Sequence, residues 1–466
     1  MPETYDLVIK GGRIVTPEAI VQGDLGVTGE TIAAIGGDLA GRATIDATGK
    51  YVMPGGVDPH AHIEQMSGMG LMNADTFETA TRSAAMGGTT SVISFAAQAE
   101  GQKISAALAD YAALAKRGAM IDHAFHMIVR DTNVAAFESD IAQAMATGHK
   151  SIKVFTTYTI KLTDAQILHT LRQARASGGL VCVHAENDAI IAEAKAALLA
   201  AGKTAPHHHA ASHPRMAEIE AVERLCRFAE YVDTPVMVFH ISTREGVAAI
   251  RAARKRGAPL WAETCPHYLF MTEDILRQDG LEGAKYMCSP PQRTADDQEA
   301  LWEGLADGTL QLVSSDHAPY RHDATGKLSA GPGVRFDQIA NGLPGLETRA
   351  PLMFDAMVSQ GKGGPIAFAR LTSTAAAEIY GLQKKGRLAP GMDADITLWD
   401  PETSVTYGQN DLHDNVGYNP WAGRTVKGWP TDVWLRGRQI VTAVTCTATA
   451  GSGQWINRPT IGPMKG

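Results

Sequence analysis

VMPGGVDPHAH, residues 52–62, is where the character of the chain changes: an apolar run reaches Gly55-Gly56 and the segment closes on two histidines one residue apart. Alternation along a strand puts His60 and His62 on the same side of the backbone, where two imidazoles can grip one ion. Neutral imidazole is the commonest protein ligand for zinc and its neighbours, and a strand end is a rigid mount for it. A His-x-His pair also occurs in solvated loops, so its meaning depends on what the rest of the chain brings to it.

Downstream, from residue 54 to about 384, apolar strands alternate with amphipathic helices. The expected strands are 51–56, 90–95, 124–129, 151–155, 180–184, 236–240, 260–264 and 311–315. Helical periodicity fills 75–86, 163–177, 216–230 and 244–257 between them. Eight strands alternating with helices over this length is the rhythm of a (β/α)8 TIM barrel, an α/β fold. A doubly wound open sheet is the alternative, but no GxGxxG follows the first strand. In a barrel the chemistry sits where strands end. Strand one then delivers His60 and His62, strand four Lys153, strand five His184, strand six His240 and strand eight Asp316. Six such side chains at the same ends of their strands point to a metal centre.

Lys153, in SIKVF, is the odd member. A lysine in a strand that should be buried is costly unless it is neutralised or paired, and an ammonium has no lone pair for a metal. Carbon dioxide added to the amine would give an anionic carbamate whose two oxygens can bridge two cations. The alternative is a buried stem whose ammonium pairs with a carboxylate.

Outside this region, residues 5–53 read as short strands, with turns expected at Gly11-Gly12 and Gly29-Glu30. The far end repeats the pattern in DADITLWD (393–400) and TDVWLRGRQIVT (431–442). The similar patterning suggests one β-sandwich built from both chain ends, 1–53 and 385–442, flanking the barrel of 54–384; two independent hairpins are the alternative. Residues 443–466 form a tail of small residues, glycine and proline.

The chain has 466 residues, 44% hydrophobic and 20% charged, with a formal charge of −8, which gives no basic footprint for nucleic acid or an anionic membrane. No basic-then-apolar leader and no membrane-length apolar run is expected. Five scattered cysteines without a CxxC fit a reducing cytoplasm better than a disulfide scaffold.

Taken together, GGVDPHAH (55–62), GGTTS (87–91), SIKVFTTY (151–158), VHAEN (183–187), HIS (240–242), ETCPHYL (263–269), CSPPQR (288–293), SSDHAP (314–319) and NGLPG (341–345) resemble the amidohydrolase superfamily, and within it the dihydropyrimidinase/D-hydantoinase family of cyclic amidases. The resemblance runs from residue 5 to about 440 and implies the same barrel and sandwich. It implies two zinc ions, the more buried held by His60 and His62 and the second by His184 and His240, with carboxylated Lys153 and a hydroxide bridging them. Asp316 would bind the buried metal, take the proton of the bridging water and pass it to the leaving ring nitrogen. Manganese or cobalt could occupy the same N/O site. Tyr158 matches the residue that hydrogen-bonds the developing oxyanion, and Ser289 and Asn341 match positions whose backbone groups hold the cyclic imide edge. Read without the resemblance, Tyr158 is a packing aromatic and Ser289 a turn former before two prolines.

The implied function is a metal-dependent hydrolase of cyclic amide C–N bonds, acting on 5-substituted hydantoins, dihydropyrimidines or both. Ile63-Glu64-Gln65 lacks the arginine that dihydroorotases carry after their histidine pair, which argues against an acidic substrate. EQMSGMG (64–70) does not match the allantoinase pattern; IEQMSGMG (63–70) also departs from the usual dihydropyrimidinase segment and looks closer to the bacterial phenylhydantoinase-like branch. Allantoinase or another cyclic-imide hydrolase is the alternative function; a non-catalytic scaffold is the alternative class, disfavoured because all six ligand positions are filled. Met66, Met69, Leu71 and Met72 could line a pocket for a bulky ring substituent. The run His207-His208-His209 reads as a solvated or packing loop, and His267 as a hydrogen-bonded core residue. His123 and His126 face opposite sides of their strand, and His317 could help orient Asp316. The resemblance implies that the tail reaches a neighbouring subunit in a homotetramer or dimer.

Overall fold

The computed structural model describes residues 4–443 and 445–462. It holds two sheets. The first has nine strands contributed by both chain ends: β1 (Thr4–Val15), β2 (Ile20–Thr28), β3 (Thr31–Ile35), β4 (Ala40–Asp46) and β5 (Tyr51–Pro54), then, after the barrel, β14 (Ile396–Thr406), β15 (Thr425–Leu435), β16 (Arg438–Thr442) and β17 (Thr445–Cys446). The two ends join where β5 pairs antiparallel with β14, Val52 opposite Leu398. Their shared core is Ile9, Ile14, Leu25, Val27, Val52, Ile396, Leu398 and Trp434, the inward-facing residues of the alternating runs. The turn expected at Gly11-Gly12 is instead a bulge within a continuous β1, where pairing with β2 slips between Ile9 and Gly12. Gly11 sits at φ +67° there, so the extra residue is absorbed without reversing the strand.

The second sheet is the barrel, eight parallel strands in chain order: β6 (Gly56–Ala61), β7 (Thr89–Ala97), β8 (Asp122–Ile128), β9 (Ser151–Phe155), β10 (Leu180–His184), β11 (Val236–Val238), β12 (Leu260–Thr264) and β13 (Leu312–Val313). Helices such as Phe77–Met86, Asp164–Ala176, Arg215–Val232 and Arg244–Lys255 cover its outside. The expected first strand, 51–56, proves to be two. Tyr51–Pro54 belongs to the other sheet, and the barrel begins only at Gly56. The reason lies at Gly55, where a Cβ would come 2.2 Å from Thr90 Oγ1. Only glycine lets the chain pass so close to β7 as it changes sheets. Apolar residues fill the barrel interior, among them Val57, Ile93, Phe155, Cys182, Met237 and Phe239.

The seam between first and last strands is closed by Ala61 bridging His317, with His62 N donating to His317 O at 2.7 Å. Beneath it the buried pair Arg349–Asp58 (3.3 Å) locks the two strands, since Asp58 also accepts from His60 N and Ser315 N. The tail lies across the opposite, N-terminal end of its own barrel: Gly453 N donates to Ala119 O, Ile456 N to His123 O, and Arg458 is wholly buried. The tail, expected to reach a neighbouring subunit, thus has anchors on its own barrel; Val444 and residues 463–466 lie outside the described residues.

Candidate active site

Five of the eight barrel strands, β6, β9, β10, β11 and β13, lead predicted residues to the same place. His60 lies in β6 and His62 one residue past it; Lys153 is central in β9 and His184 ends β10. β11 stops at Val238, two residues short of the expected strand, because His240 sits at φ +41°. Asp316 (φ +45°) and Tyr158 (φ +71°) share this left-handed region, uncommon for residues with a Cβ. Strain of that kind persists where the surrounding packing over-determines it, and it often marks functional sites.

All nine predicted residues, His60, His62, Lys153, Tyr158, His184, His240, Ser289, Asp316 and Asn341, line one cavity of about 620 Å³. His60 Nε2 lies 3.0 Å from Asp316 Oδ1, and His62 Nε2 lies 3.6 Å from the same oxygen. Ligand atoms of His60, His240 and Asp316 all fall within 4.8 Å of one another. The His184 and His240 rings are 4.5 Å apart, and Lys153 Nζ stands 3.9 Å above the Phe239 ring, with no carboxylate bonded to it among the described residues. The Ser289 and Asn341 side chains face the Tyr158 hydroxyl, and Asn341 Nδ2 donates to Ser289 Oγ at 3.1 Å.

Oxygen atoms behind the histidines fix which nitrogen faces inward. Glu263 Oε1 takes His60 Nδ1 at 2.5 Å, Gln65 Oε1 takes His62 Nδ1 at 2.7 Å, and Glu186 Oε2 takes His184 Nε2 at 2.8 Å. That leaves His60 Nε2, His62 Nε2 and His184 Nδ1 as inward lone pairs, the arrangement in which outer-shell oxygens orient metal ligands. His240 Nδ1 is buried with no hydrogen-bond partner among the described residues. Burial holds His60, His184 and His240 below the ordinary imidazole range and takes His62 down to about 4, so all four are neutral at working pH. Burial also lowers the Lys153 ammonium to about 8, bringing its neutral, carbon-dioxide-reactive amine within reach. The donor set, neutral nitrogens around an orphaned imidazole and one carboxylate, fits a divalent cation centre.

Glu263, Glu186, Gln65 and Asp58 were not singled out from the sequence. Glu263 had a signal, being charged within the apolar strand LWAET as Lys153 is within SIKVF; the others had none beyond proximity to a histidine. Other histidines fall out variously. His126 is used up by Pro59 O and Ser151 Oγ, and His317 by Asp75 and Gly345 N, holding the backbone next to Asp316. His267 is buried as expected, and its Nε2 has no hydrogen-bond partner among the described residues. Of the solvated and packing readings, packing holds for His209: it is 2% exposed, opens a short helix and bonds Cys288 O at 2.7 Å. Of the four apolar loop residues, Met69 lines the cavity, while Met66 and Met72 pair with each other across a small turn.

A barrel whose strand ends converge on such a cluster defines a hydrolase of the metal-centre type. The amidohydrolase family domain matches residues 51–440, and the chain belongs to the amidohydrolase family. It is 39% identical to the D-hydantoinase of Rhizobium radiobacter over 458 residues, 97% of this chain and 99% of that one. It is 37% identical to a D-phenylhydantoinase of Escherichia coli over 98% of this chain and 99% of that one. The crystal structure of dihydropyrimidinase from Brevibacillus agri superposes with a TM-score of 0.94 at 36% identity, covering 98% of this chain and 99% of that chain.

Proposed function

We propose that this chain hydrolyses a cyclic amide C–N bond, opening the ring of 5-substituted hydantoins, dihydropyrimidines or both. The observation that carries the reading is the convergence of all nine residues on one cavity, in a chain related end to end to hydantoinases. His60, His62, His184, His240, Asp316 and Lys153 would hold two divalent cations, zinc by ligand type and with manganese or cobalt compatible, Lys153 doing so as its carbamate. Such a pair supplies an acidified water and a polarised carbonyl when bound.

The chain's own residues do the rest. Asp316 moves a proton from the attacking water to the departing ring nitrogen, base first and acid second. Tyr158 is held protonated, its pKa pushed up by burial, so its hydroxyl donates to the substrate carbonyl oxygen as charge develops there. Ser289 and Asn341 hold the imide edge of the ring through backbone groups. Met69, on the loop over the cavity, faces the ring substituent. We further read the catalytic unit as 54–384, flanked by 1–53 and 385–442, in a homotetrameric or dimeric enzyme. Five unpaired cysteines, four of them buried, suit a cytoplasmic setting.

The experiment is turnover by the zinc-loaded protein of dihydrouracil and both enantiomers of phenylhydantoin, with metal content measured alongside. Ring opening of any of them is the expected result. None, with two metals bound per chain, would sink the substrate class.

A further inference from the structure

Lys327 is wholly buried, and among the described residues it makes no ion pair. Its Nζ donates to two backbone carbonyls, Ala340 O at 2.8 Å and Met287 O at 3.1 Å. A buried amine facing only carbonyls is a costly way to fill space, and an apolar side chain would be cheaper. What it provides is fixation of those two carbonyls. Burial takes its pKa down to about 7, and an uncharged amine has two N–H donors for the two oxygens.

One carbonyl belongs to the peptide immediately before a substrate-edge residue, and the other lies one peptide further back. Ala340 O is the carbonyl of the peptide whose N–H is that of Asn341, and Met287 O lies one peptide before Cys288–Ser289. The carbonyl of that next peptide, Cys288 O, is held in turn by His209 Nε2 at 2.7 Å, with His209 2% exposed. A trans peptide is planar, with C=O and N–H pointing to opposite sides, so anchoring the oxygen aims the N–H. Among the described residues neither Ser289 N nor Asn341 N has a protein acceptor, and both residues line the cavity. Gly342 N also donates to Met287 O at 2.8 Å, tying the two segments together, and Gly342 has no room for a Cβ, which would lie 2.2 Å from Ala318 O.

We propose that Lys327 and His209 are positioning residues that clamp segments 287–289 and 340–342, presenting the Ser289 and Asn341 N–H groups to the imide edge of the substrate. The inference rests on the proposed ring-opening function for its ligand, not for its geometry. Neither residue touches the metal cluster, so their contribution falls on substrate binding.

The test compares His209→Leu, His209→Gln and Lys327→Met with the wild type, zinc-loaded, for KM, kcat and metal content. Hydrogen–deuterium exchange of peptides spanning 286–293 and 338–345 is measured on the same samples. His209→Leu and Lys327→Met are expected to raise KM about tenfold, as the loss of a buried hydrogen bond would, with a smaller change in kcat and metal content kept. Exchange should quicken in the two segments, and His209→Gln, which restores a donor, should return most of the affinity. A folded, metal-loaded His209→Leu with wild-type KM and wild-type exchange overturns the clamp, as does a loss confined to kcat or to metal content. Should Lys327→Met fail to fold, the Leu/Gln pair at His209 decides. Should the wild type open no cyclic amide, the functional reading fails, and unchanged exchange in the variants would still overturn the clamp.

Discussion

Glu263, wholly buried with burial pushing its pKa well above the usual carboxylate range, grips His60 Nδ1 and thereby turns Nε2 toward Asp316. Its role is orientation. Glu263→Ala should therefore weaken metal binding by about 10–100-fold, read by competition with a chelator, while leaving the other ligands in place. In the proposed reaction Asp316 carries the proton instead. Asp316→Asn should lower kcat by about 10²–10⁴-fold, measured by single-turnover hydrolysis at saturating substrate. Lys153 is the residue whose meaning rests most on its neighbours: one lysine in SIKVF is ambiguous, but at 1% exposure, among aromatic rings and beside neutral histidines, an ammonium has no carboxylate bonded to it among the described residues. If it is carboxylated, labelled carbon dioxide should give a carbamate carbon signal that Lys153→Ala lacks; a wild type without that signal would remove the bridge.

At the scale of elements, the short loop of residues 64–73 contributes Gln65, Ser67, Gly68 and Met69 to the cavity wall. Ser67 N bonds Leu71 O and Met66 bridges Met72, so the loop folds as a tight turn with Met69 over the opening. Met69→Ala should reduce the preference for phenyl- over methyl-substituted hydantoin by about tenfold at most, the scale of a few methylenes in an apolar pocket. An unchanged ratio of kcat/KM would make Met69 loop filling only. Strand boundaries show the same dependence on context. The run 51–56 looks like one strand because its apolar pattern is continuous, yet Gly55 hands it from one sheet to another. Likewise β11 ends early because His240 leaves extended geometry to reach the cluster, a demand no local propensity encodes.

For the whole molecule, the metal-free protein carries several histidines whose protonation burial opposes. His62, His149 and His267 all sit at about 4, below the ordinary 6.5 of a free imidazole. The unfolded chain therefore binds more protons than the native one between pH 6.5 and about 4. Stability contributed by these groups is whole above 6.5 and is lost as pH falls through that window. The thermal midpoint of chelator-treated protein should accordingly drop from pH 7 to pH 5, and metal loading should raise it at pH 7. At the other end of the barrel, Arg458 bonds Ser151 Oγ and Phe125 O and pins the tail. Arg458→Ala should cost about 1–3 kcal/mol in denaturant unfolding with little effect on KM, since it lies at the face opposite the cavity.

The sequence by itself pointed to the barrel, to a β domain shared by both chain ends and to the six strand-end candidates, because periodicity and the placement of costly polar groups in apolar runs are local properties. Tertiary structure alone decided which nitrogen of each histidine faces inward, that His209 and Lys327 stand behind the Cys288–Ser289 and Asn341 segments, and that the tail closes its own barrel. Those facts depend on contacts between residues tens to hundreds of positions apart, such as His60 with Glu263. Linear spacing carries no record of them, and hydrogen-bond satisfaction in a closed, buried space selects them only once the chain has folded.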